Sequence, residues 1–486
     1  LPTGVPGLDE IIKGGLPANR LYLLRGNPGV GKTTLAMQFL LEGQRLGEKG
    51  LYITLSETTS EIEDIALSHN WNLDNIAIFE LSALEQALAQ ESESTIFHPS
   101  EIELNKTTDL LLKKIAEAAP QRVVFDSLSE LRLLADTPLR YRRQMLARKQ
   151  HFAGRKTTVI FLDDHADGQD LQVHSIAHGV ITIESLSSDY GAERRRIKVN
   201  KLRGVNFRGG YHDAMIEPGG LRVFPRLIAS EHRTKFKTTQ LKSGVPQLDS
   251  LLGGGIEYGT SCLLLGPAGT GKSSLSLLFA QAAAERGEKV LSLLFEETRK
   301  TALARADSMG IHLKKHLDSG MIELRQVDPG EFTPGQFVNT ITDAVDVGGV
   351  KMVIIDSLNG YLQAMRDVKF LAIQLHELLT FLSHRGAITF LTVAQSGILG
   401  MSMHAPIDLT YLADSVLLLR YFEQLGEIRK AISVLKKRIG KHESTIREIE
   451  MGKNGFTVGQ PMREYQGILT GTPYYGGDTS KLLKAR

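Results

Sequence analysis

Three scarcities bound what this 486-residue chain can be. It has a single cysteine, Cys262, within the apolar run SCLLLG, so no disulfide framework can form. A buried, inert thiol in a reducing, intracellular compartment is expected. No stretch approaches the roughly 20 consecutive apolar residues of a membrane helix, and no charged-then-apolar signal segment opens the chain, which points to the cytoplasm. Charge of either sign is not in excess: 57 Lys and Arg face 55 Asp and Glu, for a net charge of +2. That balance gives no general electrostatic support to nucleic-acid binding. With 42% hydrophobic and 23% charged residues the composition is globular. The length exceeds what one core comfortably serves, so two domains are expected.

Against these absences stands a repeat. GNPGVGKTT at 26–34 returns as GPAGTGKSS at 266–274, and TGVPGLDEIIKGGLP at 3–17 matches SGVPQLDSLLGGGIE at 243–257 at the same offset of 240 residues. The register holds through GEKGLYITLSET (47–58) and GEKVLSLLFEET (287–298), then slips before VVFDS (123–127) and VIIDS (353–357). The chain is a tandem duplication. SEHRTKFKTT (230–239) is polar and basic, as a linker would be, which places the domains at 1–232 and 233–486.

Within each copy short apolar runs alternate with longer amphipathic ones, as LYLLRG, TTLAMQFLLEGQRLG and GLYITL do. This predicts an α/β fold of β-α-β units with a mostly parallel sheet flanked by helices. Each GxxxxGK[ST] motif falls where a strand hands over to a helix, the context a phosphate-binding P-loop requires. The first comprises Gly29, Val30, Gly31, Lys32, Thr33 and Thr34, the second Gly269, Thr270, Gly271, Lys272, Ser273 and Ser274. Backbone amides would surround the phosphates, Lys32 or Lys272 would reach the β and γ oxygens, and Thr33 or Ser273 would hold Mg²⁺. ATP and Mg²⁺ are the expected ligands. The apolar strands RVVFD and MVIID end in Asp126 and Asp356, the expected acids of the metal shell. Candidates to orient or deprotonate the attacking water are Glu57 in LSET and the pair Glu296 and Glu297 in FEET, with Ser56 where the second copy has Glu296.

Together these residues resemble the KaiC-like circadian clock ATPases, which carry two tandem RecA-like P-loop domains. The likeness includes KLRG (201–204) and its degenerate partner KKRI (436–439). The resemblance implies a homohexameric double ring with ATP between subunits, and regulatory protein partners. A neighbour's nucleotide would be reached by Lys201, Leu202 and Arg203 in the first ring and by Lys436 and Arg438 in the second. It also implies that the acidic pair serves water and metal, giving Glu296 a metal role, and that Ser68 and Met309 lie near the adenine. If one carboxylate suffices the first ring hydrolyses ATP, and if both are needed it mainly binds; weakened hydrolysis is the expectation. In the second domain the family's Ser-Thr phosphate acceptors fall at Thr410 and Tyr411, the first alone preserved in type. After YQGILTGTP only YYGGDTSKLLKAR remains, so a diverged regulatory input is expected.

Two further patterns allow other readings. His174 and His178, at helical spacing with Asp163, Asp164 and His165 nearby, suggest a metal site, though a solvated segment is the simpler reading. Five cations in LRYRRQMLARKQ (139–150) suggest a DNA-dependent RecA-like motor, against a charged outer helix face. A nucleotide-gated regulatory binding module is the third alternative, beside an ATPase with autokinase activity.

Overall fold

The computed structural model describes residues 1–80, 115, 117–134, 137–152, 155–164, 171–186, 191–363, 368–395, 410–453, 455–469 and 473–477. The chain divides into two compact units, Leu1–Arg226 and Leu227–Arg486. The short turn Ala229–His232 belongs to the second, because Ala229 is buried in that core and its amide donates to Glu377.

The first unit is built on nine strands: β1 Leu21–Arg25, β2 Gly50–Thr54, β3 Ile76–Glu80, β4 Arg122–Asp126, β5 Thr158–Asp163, β6 Gly179–Leu186, β7 Arg194–Leu202, β8 His212–Glu217 and β9 Gly220–Phe224. They lie in the order β3-β2-β4-β5-β1-β6-β7-β8-β9. The pairs from β3 to β6 are parallel, and those from β6 to β9 antiparallel.

The inner parallel strands are buried throughout and mostly apolar because both faces are covered. Residues of β1 alternate, with Tyr22 and Leu24 packing with Phe39 and Leu40 of the P-loop helix Lys32–Arg45. Leu21 and Leu23 pack on the other face with Leu128, Tyr141, Met145 and Phe152. Two helices there, Leu128–Leu134 and Pro138–Phe152, supply that second layer.

The second unit repeats the design. After the ribbon of β10 Gln240–Leu241 and β11 Ile256–Glu257 come β12 Ser261–Gly266, β13 Lys289–Leu294, β14 Ile322–Gln326, β15 Val350–Asp356 and β16 Ile388–Ala394. β17 Ser415–Gln424, β18 Glu427–Lys437, β19 Ile446–Gly452 and β20 Gly455–Pro461 complete the set. The order β14-β13-β15-β16-β12-β17-β18-β19-β20 matches the first sheet strand for strand. Cys262 and Leu264 pack against Phe279 and Ala280 of the helix Lys272–Glu285, and Leu263 and Leu265 against Phe337 and Phe381. Cys262 is the buried free thiol expected, its pKa pushed up by burial. Among the described residues no helix is long and apolar enough to cross a membrane.

The antiparallel extension of each sheet closes over its P-loop. A Cβ on Gly31 would lie 2.9 Å from Ile216 of β8, and one on Gly271 would lie 2.1 Å from Met451 of β19. Both glycines also have left-handed backbones, with φ of 103° and 104°, which only glycine adopts cheaply.

Candidate functional sites: two P-loops in one frame

Each P-loop turns from an inner strand into a helix whose N-cap, Gly31 or Gly271, makes no side-chain cap. The first-turn amides are thereby left for an anion, and the helix dipole favours one there. Val30 and Thr270 are buried and anchor the loops, Thr270 by donating to the Pro267 carbonyl at 2.9 Å. Lys32 Nζ donates to the Gly26 and Asn27 carbonyls at 2.8 and 2.9 Å; Lys272 Nζ donates to those of Gly266 and Pro267 at 2.8 and 2.7 Å. Both ammonium groups are thus curled over their own loops. Burial lowers the pKa of Lys272 to about 8, against the pull of Asp356 and Glu296.

The strand acids lie beside the P-loop hydroxyls. Thr33 Oγ1 donates to Asp126 Oδ2 at 3.2 Å, and Ser273 Oγ donates to Asp356 Oδ1 at 3.0 Å. Hydroxyl and carboxylate side by side are a hard-oxygen donor set that fits Mg²⁺. Other partners of the aspartates were invisible in the sequence. Tyr52 on β2 donates to Asp126 at 2.5 Å, and Thr392 on β16 donates to Asp356 at 2.5 Å. Burial raises the Asp126 pKa, while the Tyr52 and Thr33 hydrogen bonds oppose the rise.

The acids after β2 and β13 are placed alike and partnered differently. The Glu57 amide donates to Thr54 Oγ1 at 2.9 Å, and one oxygen of its carboxylate is buried without a hydrogen-bond partner among the described residues. Burial, then the charges of Asp126, Glu61 and Asp164, push its pKa up to about 7. Its counterpart Glu297 is ion-paired with Arg305, which also donates to Ser274 Oγ at 2.8 Å. Ser357 donates to Glu296. Ser56, in the place of Glu296, is exposed.

One acid near the first P-loop comes from another strand. Asp164, directly after β5, pairs with Lys32 Nζ at 2.8 Å and accepts from Ser129 Oγ at 3.0 Å and from Ser127. Burial works against its charge, but Lys32 and the two serines outweigh this and hold its pKa low. Finding it from sequence would have required knowing that β5 lies beside β1.

The remaining expected residues lie further out. Lys201 Nζ donates to the His174 carbonyl at 2.6 Å and Arg203 to the Ser175 carbonyl at 3.3 Å, with Leu202 buried between them. In the second unit Lys436 donates to the Thr410 and Ala413 carbonyls at 2.8 and 2.7 Å. Arg438 donates to the Tyr411 carbonyl at 2.6 Å and to Asp414 at 3.1 Å. Both cation pairs therefore grip the segment entering β6 or β17.

Ser68 is exposed at the end of its helix and Met309 is half-buried against the core. Ser308 takes the place of Ser68 in the second unit: their hydroxyls make the same bond, to the carbonyls of Ile65 and Arg305, each at 2.7 Å.

His174 and His178 do not share a helix, which ends at Ile176. His174 meets Arg25, and His178 Nδ1 accepts from the Leu21 amide at 3.3 Å. His165 lies outside the described residues, and among those described no group of three His, Cys, Asp or Glu is placed to hold a metal. Arg148 of the basic run is buried, so its five cations form no single outer face.

Comparison with known proteins agrees with this duplicated frame. A family model described as "ATPase: KaiC" matches residues 1–228 and again 241–463. The chain belongs to the KaiC ATPase family. Among curated relatives, circadian clock protein KaiC3 of Synechocystis sp. is 26% identical over 481 residues, covering 98% of this chain and 94% of that protein. The circadian clock oscillator protein KaiC of Thermostichus vulcanus is 27% identical over 483 residues, covering 97% and 91%. KaiC2 of Synechocystis sp. is 28% identical over 484 residues, covering 97% and 83%. Family membership makes ATP the ligand to which the two KaiC-type P-loops correspond.

Proposed function

We propose that this KaiC-family ATPase binds Mg-ATP at both P-loops in the cytoplasm and hydrolyses it as a homohexameric double ring. The observation that carries this reading is the repeated contact of a P-loop hydroxyl with a strand-end aspartate, beside a buried lysine, in two matched sheets. When bound, Mg²⁺ would neutralise charge on the phosphate oxygens, held by Thr33 and Asp126 in one unit and by Ser273, Asp356 and Glu296 in the other. Glu57 and Glu297 orient the attacking water and take its proton.

Lys201, Arg203, Lys436 and Arg438 complete a neighbour's site, where an incoming cation stabilises charge developing on the γ-phosphate. Their attachment to the segments entering β6 and β17 supports a coupling between those segments and the adjoining copy. In the second unit Thr410 accepts the γ-phosphoryl group: its oxygen bonds to phosphorus, the bond to ADP breaks, and a carboxylate takes the hydroxyl proton.

Because such sites lie between copies, nucleotide and assembly are linked. Lys32→Ala and Lys272→Ala should each abolish turnover at their own site, seen as ADP release, and the double variant should be mainly monomeric by light scattering. A hexamer that persists in the double variant without bound nucleotide would overturn the assembly, and undiminished ADP release would overturn the sites.

A further inference from the structure

The residue after the strand aspartate is a serine in both units, Ser127 and Ser357, and in both it donates to a second carboxylate. In the second unit that carboxylate is Glu296, from the segment after β13. In the first, Ser56 stands in that place and Ser127 bonds instead to Asp164, from the segment after β5.

The sheet register makes the substitution explicit. Arg25 pairs with Asp163 where Leu265 pairs with Val393, so Asp164 falls at the position of Ala394. The aspartate-bearing strands, β4 and β15, each lie between the two strands concerned. The second acid has thus moved from one flank of the strand-end serine to the other.

We propose that Asp164 is a catalytic, water-orienting residue of the first nucleotide site, replacing from β5 the acid that Ser56 lacks. This rests on the reading of that site as an ATPase centre. Asp164 holds the Lys32 ammonium at 2.8 Å, an arrangement with no counterpart at Lys272 among the described residues. With ATP bound, Lys32 turns to the phosphates and Asp164 remains beside Glu57, whose charge it already perturbs. There it accepts one hydrogen of the attacking water while Glu57 takes the other as a proton; the water oxygen bonds to the γ-phosphorus and the bond to ADP breaks.

Two effects of opposite sign follow. Asp164 competes for Lys32 and repels phosphate oxygens, so it opposes binding; it orients water, so it favours turnover. A residue that merely supported the loop would aid both.

The test uses the full chain carrying Lys272→Ala, so that only the first site reports. Adding Asp164→Asn should tighten ADP binding, measured by calorimetry in EDTA, about three- to tenfold, and slow ATP turnover at least about tenfold without raising KM. Adding Ser56→Glu to that variant should bring turnover back to within about threefold of its parent. Unchanged turnover in Asp164→Asn overturns the proposal, as does weaker ADP binding with slower turnover that Ser56→Glu does not restore. A parent with no turnover removes the hydrolysis reading and this proposal together, whereas a parent that turns over ATP and ignores Asp164→Asn removes this proposal alone.

Discussion

The two nucleotide sites share a backbone and differ in which neighbours supply each polar group. In the first, a hydroxyl reaches the strand aspartate from the β2 side, as Tyr52, and an additional acid arrives from the β5 side, as Asp164. In the second the sides are exchanged: Thr392 comes from β16, and Glu296 from the segment after β13. The partners not used are Leu162 and Ser56 in one unit, Ser292 and Ala394 in the other. A duplicated fold preserves the kinds of atoms around the strand end more strictly than the positions that carry them, because an unpartnered buried carboxylate is costly wherever its partner originates.

The water-orienting acids differ most, so the largest expected contrast lies there. Glu297 is held by Arg305, itself bonded to Ser274, while Glu57 has a buried oxygen without a partner among the described residues. Glu296→Gln with Glu297→Gln should slow second-site turnover about 10²-fold or more and remove phosphate from Thr410, whereas Glu57→Gln spares that phosphate. Peptide mass spectrometry after incubation with Mg-ATP reads this directly. Phosphate chiefly on Tyr411 would break the comparison. Its carbonyl is held by Arg438 much as that of Thr410 is held by Lys436, but its hydroxyl sits several bonds further out on an exposed ring.

An intermediate effect separates the sites by pH. Burial holds Glu57 in its protonated form up to about pH 7, and only the carboxylate can take a proton from water. First-site turnover, isolated by Lys272→Ala, should therefore rise through pH 7 and fall about tenfold per unit well below it. A flat profile between pH 5.5 and 8.5 would remove Glu57 as the base.

How much of this could be read in advance depends on how far apart in sequence the partners lie. The P-loops, the strand aspartates and the slip before Asp126 and Asp356 were legible because each is a local pattern repeated in register. The parallel sheets were legible too, from apolar runs alternating with amphipathic ones. Asp164 was not: Lys32, Ser127 and Ser129 meet it only once β5 lies between β4 and β1. Arg305 reads in sequence as one more helical cation, and only the packing of its helix beside the P-loop helix brings it to Ser274 and Glu297. The spacing of the paired histidines suggests a shared helix, which Gly179 and the start of β6 cut short.

The smallest expected effect tests whether the exchanged hydroxyls are equivalent. Tyr52→Phe and Thr392→Val each delete one oxygen while nearly conserving volume, so little is changed beyond a hydrogen bond to a carboxylate. A bond of that kind contributes about 1.5–3 kcal/mol, and each aspartate retains a second donor, Thr33 or Ser273, which keeps the expected loss near the lower end. The two variants should therefore cost their own units similar amounts. Hydrogen exchange can localise that cost, with faster amide exchange in β2 and β4 for Tyr52→Phe and in β15 and β16 for Thr392→Val. Equal losses would mean that the hydroxyl serves the buried aspartate equally well from either neighbouring strand. A loss confined to Tyr52→Phe would mean instead that Asp126, whose pKa burial has already raised, depends on its tyrosine in a way that Asp356 does not depend on Thr392.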